Sequence, residues 1–132
     1  MNTVKTWSVG LLVTILAILI AVSITVKKNN NSLLKSKGII ISGKIISFEN
    51  AGKMGIEVDY SFVLNNRNYR LKRNNQKLIG KYLEYLRLKE FPLIILKDNP
   101  DLNKLLISPY DYQELNMNFP DSMQWVLPYI KE

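Results

Sequence analysis

The chain has 132 residues and carries 18 Lys and Arg against 11 Asp and Glu, a formal net charge of +7 at neutral pH. It contains no Cys and no His. That excludes disulfides, thiol nucleophiles and zinc–thiolate sites, and removes the commonest general base and metal ligand.

Residues Trp7 to Val26 run WSVGLLVTILAILIAVSITV, twenty positions without a charged side chain. At about 1.5 Å per residue this spans roughly 30 Å, the thickness of a bilayer's hydrocarbon core. Ser8, Thr14, Ser23 and Thr25 can bond back to their own helix backbone. Trp7 at one end and Lys27 and Lys28 at the other are membrane-interface candidates. The segment is predicted to be an uncleaved, single-pass anchor. A cleaved signal peptide is the rival reading, with Lys5 as its charged flank and Ala21-Val22-Ser23 as its cleavage site, but the apolar run is longer than such peptides use. A buried core helix fits poorly because the segment lacks a polar face. Lys5 stands alone before the segment, whereas Lys27, Lys28, Lys35, Lys37 and Lys44 follow it. The positive-inside rule therefore points the rest of the chain to the cytoplasm, with Lys5 and the N-terminal amine counting against.

Residues 27–37, KKNNNSLLKSK, are read as a polar linker. Gly38 to Glu49 is β-branched and apolar and is predicted to form a long strand. Asn50 to Gly55 has turn chemistry. Ile56 to Leu64 alternates cleanly, with Ile56, Val58, Tyr60, Phe62 and Leu64 on one face and Glu57, Asp59 and Ser61 on the other. Asn65-Asn66 suits a two-residue hairpin turn. Asn68 to Lys72 returns as a strand, which Arg73-Asn74-Asn75 is expected to break. Gln76 to Leu88 has helical spacing interrupted by Gly80. Phe91 to Lys97 is a buried strand with Pro92 near its start. Asp98 to Asp101 is a turn, Lys104 to Ile107 a last short strand, and Pro109 to Leu115 one helical turn.

These elements predict a membrane-anchored, mostly β or α+β fold. One N-terminal transmembrane helix precedes a small antiparallel meander, a sheet or partial barrel of about five strands with one inserted helix. The divisions are an N-terminal flank (1–6), the transmembrane helix (7–26), the linker (27–37), a β domain (38–115) and an aromatic tail (116–132) packing on the domain or the membrane. In that tail, Trp125 and Tyr129 are further interface candidates, with core packing as the alternative.

Residues 27–104 hold 16 Lys and Arg against 7 Asp and Glu. Arg67, Arg70, Lys72, Arg73, Lys77 and Lys81 are candidates for a basic face toward anionic lipid headgroups or a protein partner. Interleaved with Tyr69, Tyr82 and Tyr85, the stretch also fits single-stranded nucleic acid, but a membrane anchor argues against that partner. Glu57 and Asp59, about 6–7 Å apart on one strand face, are spaced as an acid–base pair, though alternation alone explains them as solvated residues. Asp98, Asn99, Asp101 and Asn103 offer oxygen ligands without the spacing of a calcium loop. No catalytic motif appears, and no cofactor is expected.

Several phrases occur in order: Gly43-Lys44-Ile45-Ile46, Val58-Asp59-Tyr60-Ser61-Phe62, Asn65-Asn66-Arg67-Asn68-Tyr69, Phe91-Pro92-Leu93-Ile94-Ile95 and Asn99-Pro100, with Phe119-Pro120-Asp121-Ser122 and Trp125 later. Behind an apolar N-terminal helix, this resembles a group of small bacterial membrane proteins that carry a compact β domain of unknown function. Asn66 stands where their pattern has Gly, and Ile95 where it often has Tyr. The resemblance implies a membrane-anchored β domain and no catalytic residues. The expected role is non-enzymatic binding or structure at the membrane surface; the alternative is a secreted or periplasmic binding or immunity-type module released by cleavage.

Overall fold

The computed structural model describes the backbone of residues 2–131 and the side chains of residues 8–131. The side chains of Lys5 and Trp7 lie outside the described residues. Helix α1 spans Asn2–Lys37 without a break at the two lysines. Thr14, Ser23 and Thr25 donate their hydroxyl hydrogens to the carbonyls of Gly10, Leu19 and Ala21, as expected for polar groups inside an apolar helix. Among the described residues, this is the one helix long and apolar enough to cross a membrane, and its apolar window is wholly uncovered by the rest of the chain. That removes the core-helix reading.

The polar linker expected at 27–37 is instead the last three turns of α1. Asn-rich sequence favours helix poorly, by several tenths of a kcal/mol per residue relative to Ala. Tertiary packing overrides it. Leu34 is 2% exposed and packs with Ile94, Leu106, Tyr112 and Leu115. The chain then reverses at Gly38, whose N–H donates to the Leu34 carbonyl at 2.8 Å. A Cβ at Gly38 would stand 2.2 Å from that oxygen and 2.8 Å from Ile94 Cγ1. Only glycine permits this reversal.

Five antiparallel strands follow: β1 (Ile39–Asn50), β2 (Ile56–Leu64), β3 (Arg67–Asn75), β4 (Glu90–Leu96) and β5 (Asn99–Leu105). Their order is β3-β2-β1-β4-β5, and the sheet curls into a half-barrel. The expected small antiparallel sheet of about five strands after an apolar helix is therefore present as a partial barrel, and only its meander order differs, because β3 and β4 are not neighbours. Residues 76–89 carry the chain from edge strand β3 across to β4, beside the central β1. A register shift between Ile45 and Ser47 bends β1 where it pairs with β2.

The period of β2 holds: Ile56, Val58, Tyr60, Phe62 and Leu64 are all buried. Asn65 and Asn66 adopt φ of 51° and 61°, the left-handed pair that a two-residue hairpin with matching twist requires. β3 does not break at Arg73, because Asn75 still pairs with Ile56. The helix expected over Gln76 to Leu88 contracts to a 3₁₀ turn at Gly80–Tyr82 and a single α-helical turn, α2 (Leu83–Leu86). Leu78 is instead drawn into the core and bridges to Ile130. β5 begins at Asn99, inside the expected turn. Helix α3 (Pro109–Glu114) forms as expected behind a Ser108/Asp111 capping box.

The sheet has a core on each face. One holds Ile45, Val58, Phe62, Leu93 and Ile95, and the tail's Met123, Val126 and Ile130 close it through a 3₁₀ stretch at Asp121–Tyr129. The other, smaller core seats Leu34 of α1 and Tyr112 and Leu115 from the α3 region on Ile94 and Leu106.

Leu34→Ala is expected to cost about 2–4 kcal/mol, the range for truncating a buried leucine, read as a lower melting temperature of the full chain in detergent. Asn66→Val, forced to positive φ, is expected to cost about 1–2 kcal/mol in the same assay, while Asn66→Gly does not destabilise.

Candidate functional site

The half-barrel is not closed between β3 and β5. Two polar contacts cross the gap. The buried Tyr60 hydroxyl of β2 donates to Asn103 Oδ1 of β5 at 2.5 Å. Asn103 in turn donates from Nδ2 to the Pro100 carbonyl at 2.7 Å. Burial pushes the Tyr60 phenol up to about 12, against the opposing pull of Arg73. Arg73 Nη2 donates to the Asp101 carbonyl at 3.0 Å, tying one sheet edge to the other.

Beside this gap, a cleft of about 1110 Å³ separates the sheet from α1. Its helix wall is the stripe Val22, Ser23, Val26, Lys27, Asn30, Asn31 and Leu34, positions at helical spacing on one face. From Val22 to Leu34 that wall runs about 18 Å at 1.5 Å per residue. The opposite wall comes from Met54 after β1, Val58 and Tyr60 of β2, the end of β3 from Arg73 with Lys77 just beyond it, and β5. On the helix wall Val22 and Val26 precede Lys27, Asn30 and Asn31, and Leu34 follows them.

Glu114, at the end of α3, joins helix and domain. Its carboxylate accepts from Lys27 of α1 at 2.5 Å and from Lys104 of β5. The Tyr110 hydroxyl also donates to it at 3.0 Å. The Glu114 backbone carbonyl accepts from Asn31 Nδ2 at 3.5 Å. Burial raises the Glu114 pKa, but the hydrogen bonds from Lys104 and Lys27 outweigh it and bring the group down to about 2. Neighbouring Asp111 is satisfied by the backbone N–H groups of Ile107 and Ser108 at 3.0 and 2.8 Å. Its carboxylate is therefore committed to holding the start of α3.

The basic-face candidates do not lie on one face. Strand alternation divides them: Arg67 and Arg73 share one side of β3, and Arg70 and Lys72 the other. Arg70 grips Asp59 through Nε at 2.9 Å and Nη2 at 2.5 Å. Lys72 pairs with Glu57 at 3.3 Å and lies 4.0 Å from Glu49. Lys77 lies over the Tyr110 ring and Lys81 over Tyr82. Lys28 is exposed and lines a smaller hollow with Lys35 and Asn116. Trp125 packs on Phe91, with ring centroids 5.7 Å apart, and Tyr129 stacks on Tyr85 at 4.4 Å. Both therefore serve the domain's aromatic packing.

Asp59, expected on a solvated face, is buried beneath Arg70, with the Ser47 hydroxyl donating at 3.3 Å. The Arg70 guanidinium holds its carboxyl below the usual range despite burial. Glu57 and Asp59 are thus each neutralised by a cation, an arrangement suited to structure rather than proton transfer. Among the described residues, no cluster of three or more acidic side chains could hold a metal ion. Comparison of the chain with protein-family models, curated proteins and solved structures finds no match, so the motif resemblance gains no support there.

The folded Glu114 carboxyl titrates about 2, below its ordinary 4.5. Its contribution to stability is therefore complete above about pH 5 and is lost as pH falls toward 2. Glu114→Gln leaves Lys27 and Lys104 without their carboxylate and is expected to cost about 1–3 kcal/mol at pH 7. The melting-temperature gap between wild type and variant should narrow as pH drops from 5 to 2.

Proposed function

We propose that this chain is a single-pass membrane protein whose β domain is a non-enzymatic binding module held rigidly at the membrane surface. The observation that carries this reading is the unbroken course of α1 from the uncovered apolar segment to Lys37, with Leu34 and Lys27 fixing its far half to the domain. The domain has no slack with which to leave the bilayer. Cleavage at Ala21–Ser23 would cut into the helix wall of the cleft, so the arrangement favours retention of the segment over release as a secreted module. The resemblance to small bacterial membrane proteins supports a bacterial membrane location. The lysines following the apolar run support a cytoplasmic domain. The paired state of Glu57 and Asp59 and the absence of His and Cys support binding rather than catalysis.

The test uses the full chain expressed in a bacterium. Intact mass should correspond to all 132 residues, and the protein should stay in the membrane fraction through high salt. Asn29, exposed near the membrane end of the domain, reports sidedness. Asn29→Cys should be labelled by a membrane-impermeant maleimide only after the cytoplasmic side is opened. A mass lacking the first 23 residues, or release by salt, overturns the anchor. Labelling in intact cells overturns the orientation.

A further inference from the structure

We infer that the cleft between α1 and the open edge of the half-barrel holds one anionic phospholipid drawn from the surrounding bilayer. This rests on the membrane reading above and goes beyond it by naming a site and an occupant. The first ground is continuity. The cleft's helix wall begins at Val22, Ser23 and Val26, which belong to the apolar run, and passes without interruption to Lys27, Asn30 and Asn31. A ligand lying along Val22 to Asn31 meets apolar surface first and polar surface next. A molecule entering from the bilayer meets that order of surfaces.

The second ground is the opposite wall. Met54 is 60% exposed, on a 3₁₀ turn whose flanking Gly52 and Gly55 take φ of 61° and 88°. It lines the same cleft as Val22 and Val26, so the domain as well as the helix contributes exposed apolar surface to it. The third ground is charge. Lys27, Arg73, Lys77 and Lys104 line the cleft against Asp101, Asp111 and Glu114. Among the described residues the wall therefore carries one net positive charge, the complement of a single phosphodiester. Glu114 and Asp111 are already saturated by their own donors, so they do not present a bare carboxylate to that phosphate. Arg73, which also reaches the Asp101 carbonyl, and Lys77, which lies over the Tyr110 ring, are the sheet-side cations that line the cleft where that phosphate would sit. At about 1110 Å³ the space is at the upper end of small-ligand sites, about 300–1000 Å³. It suits an amphiphile better than a lone ion.

The experiment reconstitutes the full chain in bilayers of phosphatidylcholine doped with phosphatidylglycerol, then measures flotation and, by native mass spectrometry, the lipid retained. The expected result is one phosphatidylglycerol per chain, enriched over its share of the bilayer. Lys77→Gln, and separately Met54→Asp, should each lower that enrichment about fivefold to tenfold, the scale of one charge-assisted contact. Arg67→Gln removes the same charge at an exposed position outside the cleft and should leave enrichment unchanged. Melting temperatures of all three variants show that they fold. If Arg67→Gln lowers enrichment as much as Lys77→Gln, the attraction is diffuse and the site is overturned. If soluble glycerol phosphate displaces the lipid, the cleft recognises a phosphoryl group alone and the lipid assignment is overturned. If the chain floats with the vesicles but retains no phosphatidylglycerol, the inference fails while the anchor stands. If it does not float, the anchor itself fails.

Discussion

The seat of Leu34 is the constraint on which the rest of the arrangement depends. Burying one leucine side chain is worth about 1.5–3 kcal/mol, too little to hold a domain by itself. Here it acts together with a backbone that has no freedom to rotate away. Four residues later the chain reverses at Gly38, packed against the Leu34 carbonyl and Ile94. β1 then enters the sheet as its central strand, while α1 packs on β4 and β5. The far end of β1 delivers Met54 to the same cleft that Val22 and Val26 line. The C-terminal turns of α1 and the domain therefore share one packed contact, with the cleft beside it.

The sheet explains why a cleft remains there. A five-stranded sheet that curls must either close or leave two edges. In this fold, among the described residues, hydrogen bonds span the opening from Tyr60 of β2 to Asn103 and from Arg73 of the β3 edge to the Asp101 carbonyl. An apolar seam between β3 and β5 would have closed the barrel and filled the space. Polar bridges satisfy the interior groups that need partners while keeping the edges apart. The same residues form part of the cleft wall, so the device that limits closure also shapes the surface left open.

Much of the fold was legible in the sequence, for identifiable reasons. β2 alternates because one face is core and the other is not, and a period of two survives any tertiary context. The Asn65-Asn66 turn was legible because positive φ restricts the choice of residue. The apolar length of α1 was equally plain. The continuation of α1 through Asn29–Asn31 was not, because propensity reads each residue locally, while the burial of Leu34 is decided by strands more than fifty residues later. The same limit explains Gln76 to Leu88. Its spacing is helical, yet Leu78 leaves that pattern to bridge Ile130 near the far end of the chain. Glu114 carried one local signal, its position four residues after Tyr110, whose hydroxyl it accepts. Its link to Lys27 had none.

The basic character of the chain is the point at which counting and geometry part. A net charge of +7 suggests a surface held to anionic lipid by number alone. Yet Arg70 is committed to Asp59, Lys72 to Glu57, and Lys27 and Lys104 to Glu114. The exposed pairs among these add little to stability, about 0–1 kcal/mol each, but they remove cations from the account of what a bilayer would meet. β alternation puts the remaining arginines of β3, Arg67 and Arg73, on the side opposite Arg70 and Lys72. A uniform positive field is thus a poor description of this domain. Where cations and apolar surface do converge is along the single helix stripe from Val22 to Leu34 and the sheet edge beside it. On the membrane reading proposed above, selectivity for charge would come from position within that cleft rather than from the sum over the chain.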